Sequence, residues 1–131
     1  MRTKALLALA LLTAASPAAV FAQEQDADDA RYEAAITWVK LVVVEGDFEA
    51  AAAQAHEAVA AQMTPAALEA AWAQLAPQLG ELKSLEPKEQ RIEQGLHLVV
   101  LTGVFDAGTF DVQVYMGDDH SVAGFFVRPP N

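Results

Sequence analysis

Gly80 divides the chain into two stretches with different hydrophobic periods, and this break limits the fold more than any other feature. Before it, apolar residues recur every three to four positions and alanine dominates, occupying 14 of the 27 positions from Ala50 to Ala76. Alanine favours helix and allows close approach of backbones, but each side chain buries little surface. After Gly80 the period falls to two and β-branched residues replace alanine, which is the pattern of strands. Helices that precede the strands, instead of alternating with them, predict an α+β fold in which the N-terminal helices pack on one face of a C-terminal antiparallel sheet.

Within Ala30 to Glu45, Tyr32, Ala35, Ile36, Val39, Val42 and Val43 fall at helical spacing, and Trp38 and Leu41 widen the apolar face. Such a helix needs cover on more than one side. Gly46 offers a left-handed stop and Asp47 a cap for the turn that carries Phe48, so a helix-to-helix corner is expected there. Thr64-Pro65 pairs a capping residue with proline at the first helical position, and Leu68, Ala71, Trp72, Leu75 and Leu79 then line one face as far as Gly80. Trp72 is the largest apolar anchor of that helix and reads first as a core residue.

Four strand candidates follow. Glu81 to Ile92 is polar and interrupted by Pro87, which places it on an edge or at a bulge. Leu96 to Phe105 is apolar on both faces and therefore central, Asp106-Ala107-Gly108 signals a hairpin, and Thr109 to Met116 alternates Phe110, Val112, Val114 and Met116 against Asp111, Gln113 and Tyr115. Gly117 to His120 then turns into Ser121 to Val127. One face of this meander is covered by helices. The other should carry Asp111, Gln113 and Tyr115, and Val99, Leu101, Phe125 and Val127 are also expected there, as a surface for a second copy or another partner.

The first residues read as an address. Arg2 and Lys4 precede an apolar run of 11 residues, Ala5 to Ala15, and Val20-Phe21-Ala22 supplies the small residues of a cleavage site. The run is far short of the roughly 20 residues a membrane-spanning helix needs. A signal peptide over 1–22, cleavage after Ala22, a disordered lead over 23–29 and one domain over 30–131 are expected, with the product soluble in a periplasm or secreted. Cleavage removes two positive charges and takes the net charge from −10 to −12. A chain this acidic, with no basic stripe, repels phosphate backbones and anionic membranes, so neither nucleic acid nor, after cleavage, a membrane is an expected partner. With no cysteine there is no disulfide framework, thiol nucleophile or thiolate metal site.

Gly46-Asp47-Phe48 after an apolar helix, Leu68, Trp72 and Leu75 before Gly80, Val104-Phe105, the strand around Val112 and Val114, and Ala123-Gly124-Phe125-Phe126 before Pro129 together resemble domain-of-unknown-function family 3887. The resemblance runs from Arg31 to about Pro129. It implies a compact α+β domain akin to the cystatin and nuclear-transport-factor-2-like rolls, often N-terminal to a serine-aminopeptidase-type α/β-hydrolase. The sequence given ends at Arg128-Pro129-Pro130-Asn131 without such a hydrolase, so an accessory domain standing alone is expected, and no family catalytic residue carries over.

Residue chemistry points the same way. A serine hydrolase needs an elbow such as G-x-S-x-G, and after residue 22 the only serines are Ser84 and Ser121, neither in that context. His56-Glu57 are adjacent and point to different helix sides, while Asp118-Asp119-His120 lacks calcium-loop spacing, so no metal and no cofactor are expected. The sharper enzymatic alternative is a small isomerase or cyclase in which a carboxylate raised by an apolar cavity moves a proton beside a carbonyl, with Asp106, Asp111, Tyr115 and His97 as candidates. The favoured expectation is a noncatalytic binding or protein-interaction domain. Its ligand or partner face is drawn from Trp72, His97, Asp106, Asp111, Gln113, Tyr115 and Phe125, and its partner is another protein, a second copy, or a small apolar or peptidic ligand.

Overall fold

A computed structural model describes residues 26–130. The chain divides into two compact units, Met1–Ala30 and Arg31–Asn131. Of the first unit only residues 26–30 are described; they are helical, where an unstructured lead was expected through residue 29. The missing apolar period in that stretch reports a missing buried face, which does not forbid helix. The expected signal peptide and its cleavage site lie outside the described residues.

The second unit is α+β. Helix α1 spans residues 31–43, α2 Phe48–Ala53 and α3 Pro65–Leu79, followed by strands β1 Leu82–Glu93, β2 Leu96–Phe105, β3 Gly108–Met116 and β4 Val122–Arg128. The strands form one antiparallel sheet in the order β1-β2-β3-β4. Helices packed on one face of such a meander are consistent with the expected cystatin and nuclear-transport-factor-2-like roll.

The punctuation residues act as their chemistry requires. Gly46 adopts φ +63°, and the Asp47 carboxylate accepts the Ala50 N–H at 3.1 Å to start α2. Thr64 Oγ1 accepts the Ala67 N–H at 3.1 Å to start α3. Gly80 ends α3 at φ +78°, and a Cβ there would lie 2.6 Å from the Cβ of Asp106, so both backbone angle and packing demand glycine. A turn that the sequence reading missed joins β1 to β2: Gln94 and Gly95 have φ of +54° and +80°, the two left-handed residues of a tight hairpin.

Alanine propensity does not carry helix through the whole of 50–76. From Gln54 to Thr64 the chain leaves helix because the sheet edge claims its backbone: Val122 N–H donates to Gln54 O at 2.8 Å, and His56 N–H donates to Val122 O at 2.7 Å. Ala55 thereby bridges Val122 in parallel fashion. Tertiary pairing outweighs a few tenths of a kcal/mol of helix preference per residue.

The core lies between helices and sheet. Ala35, Trp38, Val39 and Val42 of α1, Ala51 of α2, and Leu68 and Leu79 of α3 close over Val99, Leu101 and Phe105 of β2, Val112, Val114 and Met116 of β3, and Val122 of β4. Phe125 and Val127 pack against the same core. This corrects the expected placement of Val99, Leu101, Phe125 and Val127 on the second face. The β2–β3 register sets Leu101 opposite Val112 and Val99 opposite Val114, so all of these side chains share the helix-facing side.

Trp38, not Trp72, is the anchor of this core. Its side chain is fully buried, its ring meets Phe125 edge to face at 5.3 Å, and its indole N–H donates to the Ala51 carbonyl at 2.9 Å. Trp72 is only half-buried against the core. Trp38→Ala is therefore expected to cost about 4 kcal/mol of unfolding free energy, against roughly 1–2 kcal/mol for Trp72→Ala, measured by urea denaturation. Equal losses would show that the two tryptophans share the anchoring role.

Candidate functional site

The face of the sheet turned away from the helices carries Leu96, Leu98, Val100 and Thr102 of β2, Asp111, Gln113 and Tyr115 of β3, and Gly124, Phe126 and Arg128 of β4. Leu98 and Val100 are buried although, among the described residues, they belong to no cluster with the helices. Their ladder partners on the flanking strands are long polar side chains, Arg91 and Glu89 on β1 and Tyr115 and Gln113 on β3. Arg91, paired with Leu98 in the ladder, binds Glu93 at 2.7 Å and Glu89 at 2.9 Å, and Tyr115 Oη donates to Glu93 at 3.3 Å. The Arg91 hydrogen bond holds the Glu93 carboxyl below its ordinary range.

Lys88 reaches this lattice because β1 is irregular. The register jumps between Pro87 and Glu89, leaving Lys88 in a bulge, and its ammonium crosses β2 to the Asp111 carboxylate at 2.8 and 3.1 Å. The Asp111 side chain is only 6% exposed, and the Lys88 side chain is 32% exposed. The buried aspartate of the outer face is thus one half of an ion pair that ties β1 to β3.

The lattice stops at the β4 end. There Gln94, Leu96, Tyr115, Ala123, Gly124, Phe126 and Arg128 line an open pocket of about 310 Å³. Phe126 is 43% exposed, meets Tyr115 edge to face at 5.9 Å and lies under the Arg128 guanidinium, 5.2 Å from its ring centroid. Arg128 Nε donates to Gln113 Oε1 at 3.1 Å. On the helix side of β4, Val59, Gln62, Met63, Ala67, Leu68 and Ala123 line an apolar groove of about 240 Å³.

The seven residues expected to form one face divide among several places. Asp111, Gln113 and Tyr115 do lie together on the outer face. Phe125 turns toward the helices, and Trp72 packs on the core from α3. His97, the second residue of β2, has its Nε2 2.7 Å from Asp118 Oδ1. Asp106 sits at the β2–β3 hairpin, where Oδ2 accepts the Glu81 N–H at 2.8 Å and Oδ1 pairs with Lys83 at 3.2 Å. The residues missed were Lys88, Phe126 and Arg128. Alternation would place Phe126 and Arg128 beside Gln113 only if the register shift between Tyr115 and Met116 were known, and one strand read alone does not show it.

Among the described residues no group of three or more His, Asp or Glu side chains could hold a metal ion, and no helix is long and apolar enough to cross a membrane. Asp106 acts as a clamp. Its carboxyl is held below the ordinary aspartate range first by the Glu81 N–H and then by Lys83. A depressed folded-state pKa adds stability that is present above the unfolded aspartate value and lost as pH falls through the folded one. Asp106→Ala should therefore lower stability at pH 7, with the difference from wild type shrinking below about pH 4; an unchanged difference at pH 3 would assign the loss to packing. For the outer face, Lys88→Met should cost about 2 kcal/mol by leaving Asp111 buried and unpaired, and adding Asp111→Leu should recover most of that loss in denaturant melts.

Neither a curated protein nor a solved structure matches the chain. Residues 39–125 match the model of a family described as a protein of unknown function, DUF3887, and that span runs from α1 through Phe125 of β4. It covers well over half of the sequence, with α2, α3 and most of the sheet, and on this match the chain belongs to the DUF3887 family.

Proposed function

We propose that this is a noncatalytic binding domain of the cell envelope, exported by its N-terminal signal, cleaved after Ala22, and engaging a protein or peptidic partner on the outer face of its sheet. One observation carries the reading. The outer face seals its own apolar centre with ion-paired side chains but leaves the Tyr115–Phe126–Arg128 end open, with a large aromatic side chain 43% exposed. Sealed and open zones side by side on one sheet face support a binding patch at the open end.

The acid–base alternative has less behind it. It calls for a carboxylate raised by an apolar cavity, whereas Asp106 is lowered and pairs with Lys83, and Asp111 is bound by Lys88. These two and His97 each serve a different junction of the fold and do not line the pocket that Tyr115 lines.

Two measurements test the proposal. Intact mass of the protein recovered from the periplasmic fraction should equal that of residues 23–131; full-length mass in the cytosolic fraction alone would contradict export. Native mass spectrometry of gently purified protein should show a retained partner or adduct that is lost from a Tyr115→Ser, Phe126→Ser double variant with wild-type thermal stability. Retention by that variant would move binding off this face.

A further inference from the structure

The two edges of the sheet are built differently. β1 carries six charged residues in twelve, a proline and two register shifts, the features that keep an edge strand from pairing with another chain. β4 reads Val-Ala-Gly-Phe-Phe-Val-Arg, with one charge, at its last residue, and no proline. Among the described residues no strand follows it. Among the described residues its only outward pairing is at Val122, where Gln54–His56 run parallel to it.

Cover is missing on both sides of this edge. Val112 and Val114 of β3 are fully buried, while their ladder partners on β4, Val127 and Phe125, are only half-buried. The apolar groove on the helix side and the aromatic pocket on the outer side share one lining residue, Ala123, which the register shift leaves unpaired. A strand laid along β4 would send alternate side chains to these two sides.

Charge completes the description of the occupant. On the outer face Lys88 and Arg91 are neutralised by carboxylates, but Arg128 is fixed only through Nε to the neutral amide of Gln113 and over the Phe126 ring. Its two terminal nitrogens remain available for an end-on, two-pronged bond to a carboxylate. A chain continuing the parallel direction set by Gln54–His56 would run with its C-terminus toward Arg128.

We infer that the β4 edge accepts the extended C-terminal segment of a partner protein as a fifth, parallel strand, with its terminal carboxylate on Arg128 and alternate apolar side chains against Phe126 and in the Val59–Met63–Leu68 groove. A second copy of this chain suits the edge less well. Two-fold pairing would be antiparallel, and each cleaved copy would bring a net charge of −12, the −10 of the full chain less Arg2 and Lys4. This inference rests on the binding function proposed above and names the partner of that same end of the sheet.

The test presents the protein as recovered from its producing cells with a pool of random hexapeptides bearing free carboxylates, and with the same pool amidated. Free acids with apolar residues at alternate positions should be selected. The best of them should slow amide hydrogen exchange along β4 and leave β1 unchanged. Amidation, or Arg128→Gln at unchanged Tm, should weaken it about tenfold or more, with partial recovery in Arg128→Lys. Equal selection of acids and amides overturns the inference. Exchange protection confined to β2 and β3 overturns it while leaving outer-face binding standing. Slow β4 exchange in a concentration-dependent dimer assigns the edge to a second copy. No selection from either pool also overturns it, and the Tyr115, Phe126 double variant then judges outer-face binding separately.

Discussion

Trp38, whose indole N–H donates to the Ala51 carbonyl, holds three elements of the fold in place at once. The ring is fully buried beneath Phe125 of β4, so α1 is fixed against the sheet, while the N–H fixes α2 against α1. Burying an indole contributes roughly 5 kcal/mol of gross transfer free energy. Its buried N–H must also find an acceptor, and Ala51, itself fully buried, presents one from a helix of only six residues. Once α2 is placed, Gln54–His56 meet Val122, and this pairing fixes where β4 begins and which part of its edge stays open.

The two sides of the sheet reach burial by different means. The helix side uses close-packed aliphatic and aromatic residues from three helices. The outer side buries Leu98 and Val100 beneath arginine, lysine and glutamate side chains whose heads pair with one another. Long charged side chains have enough methylene to cover two aliphatic residues while keeping their charges paired. The bulge at Lys88 is part of this solution, because in a regular β1 continued from Glu89 Lys88 would lie opposite Leu101 on the helix-facing side, away from Asp111.

Element boundaries were legible in the sequence wherever a residue has one strong local preference. Gly46, Thr64-Pro65 and Gly80 each end or begin a helix as expected, and the β2 limits, Leu96 and Phe105, were read directly. Strand parity was not legible. Leu98-Val99-Val100-Leu101 is apolar on both faces, so nothing in it says which pair faces the helices; the hairpin register decides, and it turned Val99 and Leu101 inward. The same limit governed the site. Asp111, Gln113 and Tyr115 stood out by alternation with valines, but Arg128 joins them only through a register shift near the start of β4, and Lys88 only through a bulge. The interruption of helix at 54–64 was equally hidden, since its cause is Val122, almost 70 residues away.

A sheet with two edges has two places where another chain can add, and this one defends them unequally. Charges, Pro87 and bulges on β1 turn that edge away from pairing, and they also supply the side chains that roof Leu98 and Val100. β4 has neither duty. Its one charged residue, Arg128, lies on the outer face, held by Gln113 and Phe126 and turned away from the core. Gly124 narrows the strand between the two lined hollows, where an added Cβ would already lie 3.2 Å from the Phe126 ring. An edge that only had to be protected would gain from a lysine or proline, and β4 carries neither. The run Gly124-Phe125-Phe126-Val127 instead places half-buried Phe125 and Val127 on the helix side and exposed Phe126 on the outer side of an edge backbone that, among the described residues, pairs outward only at Val122.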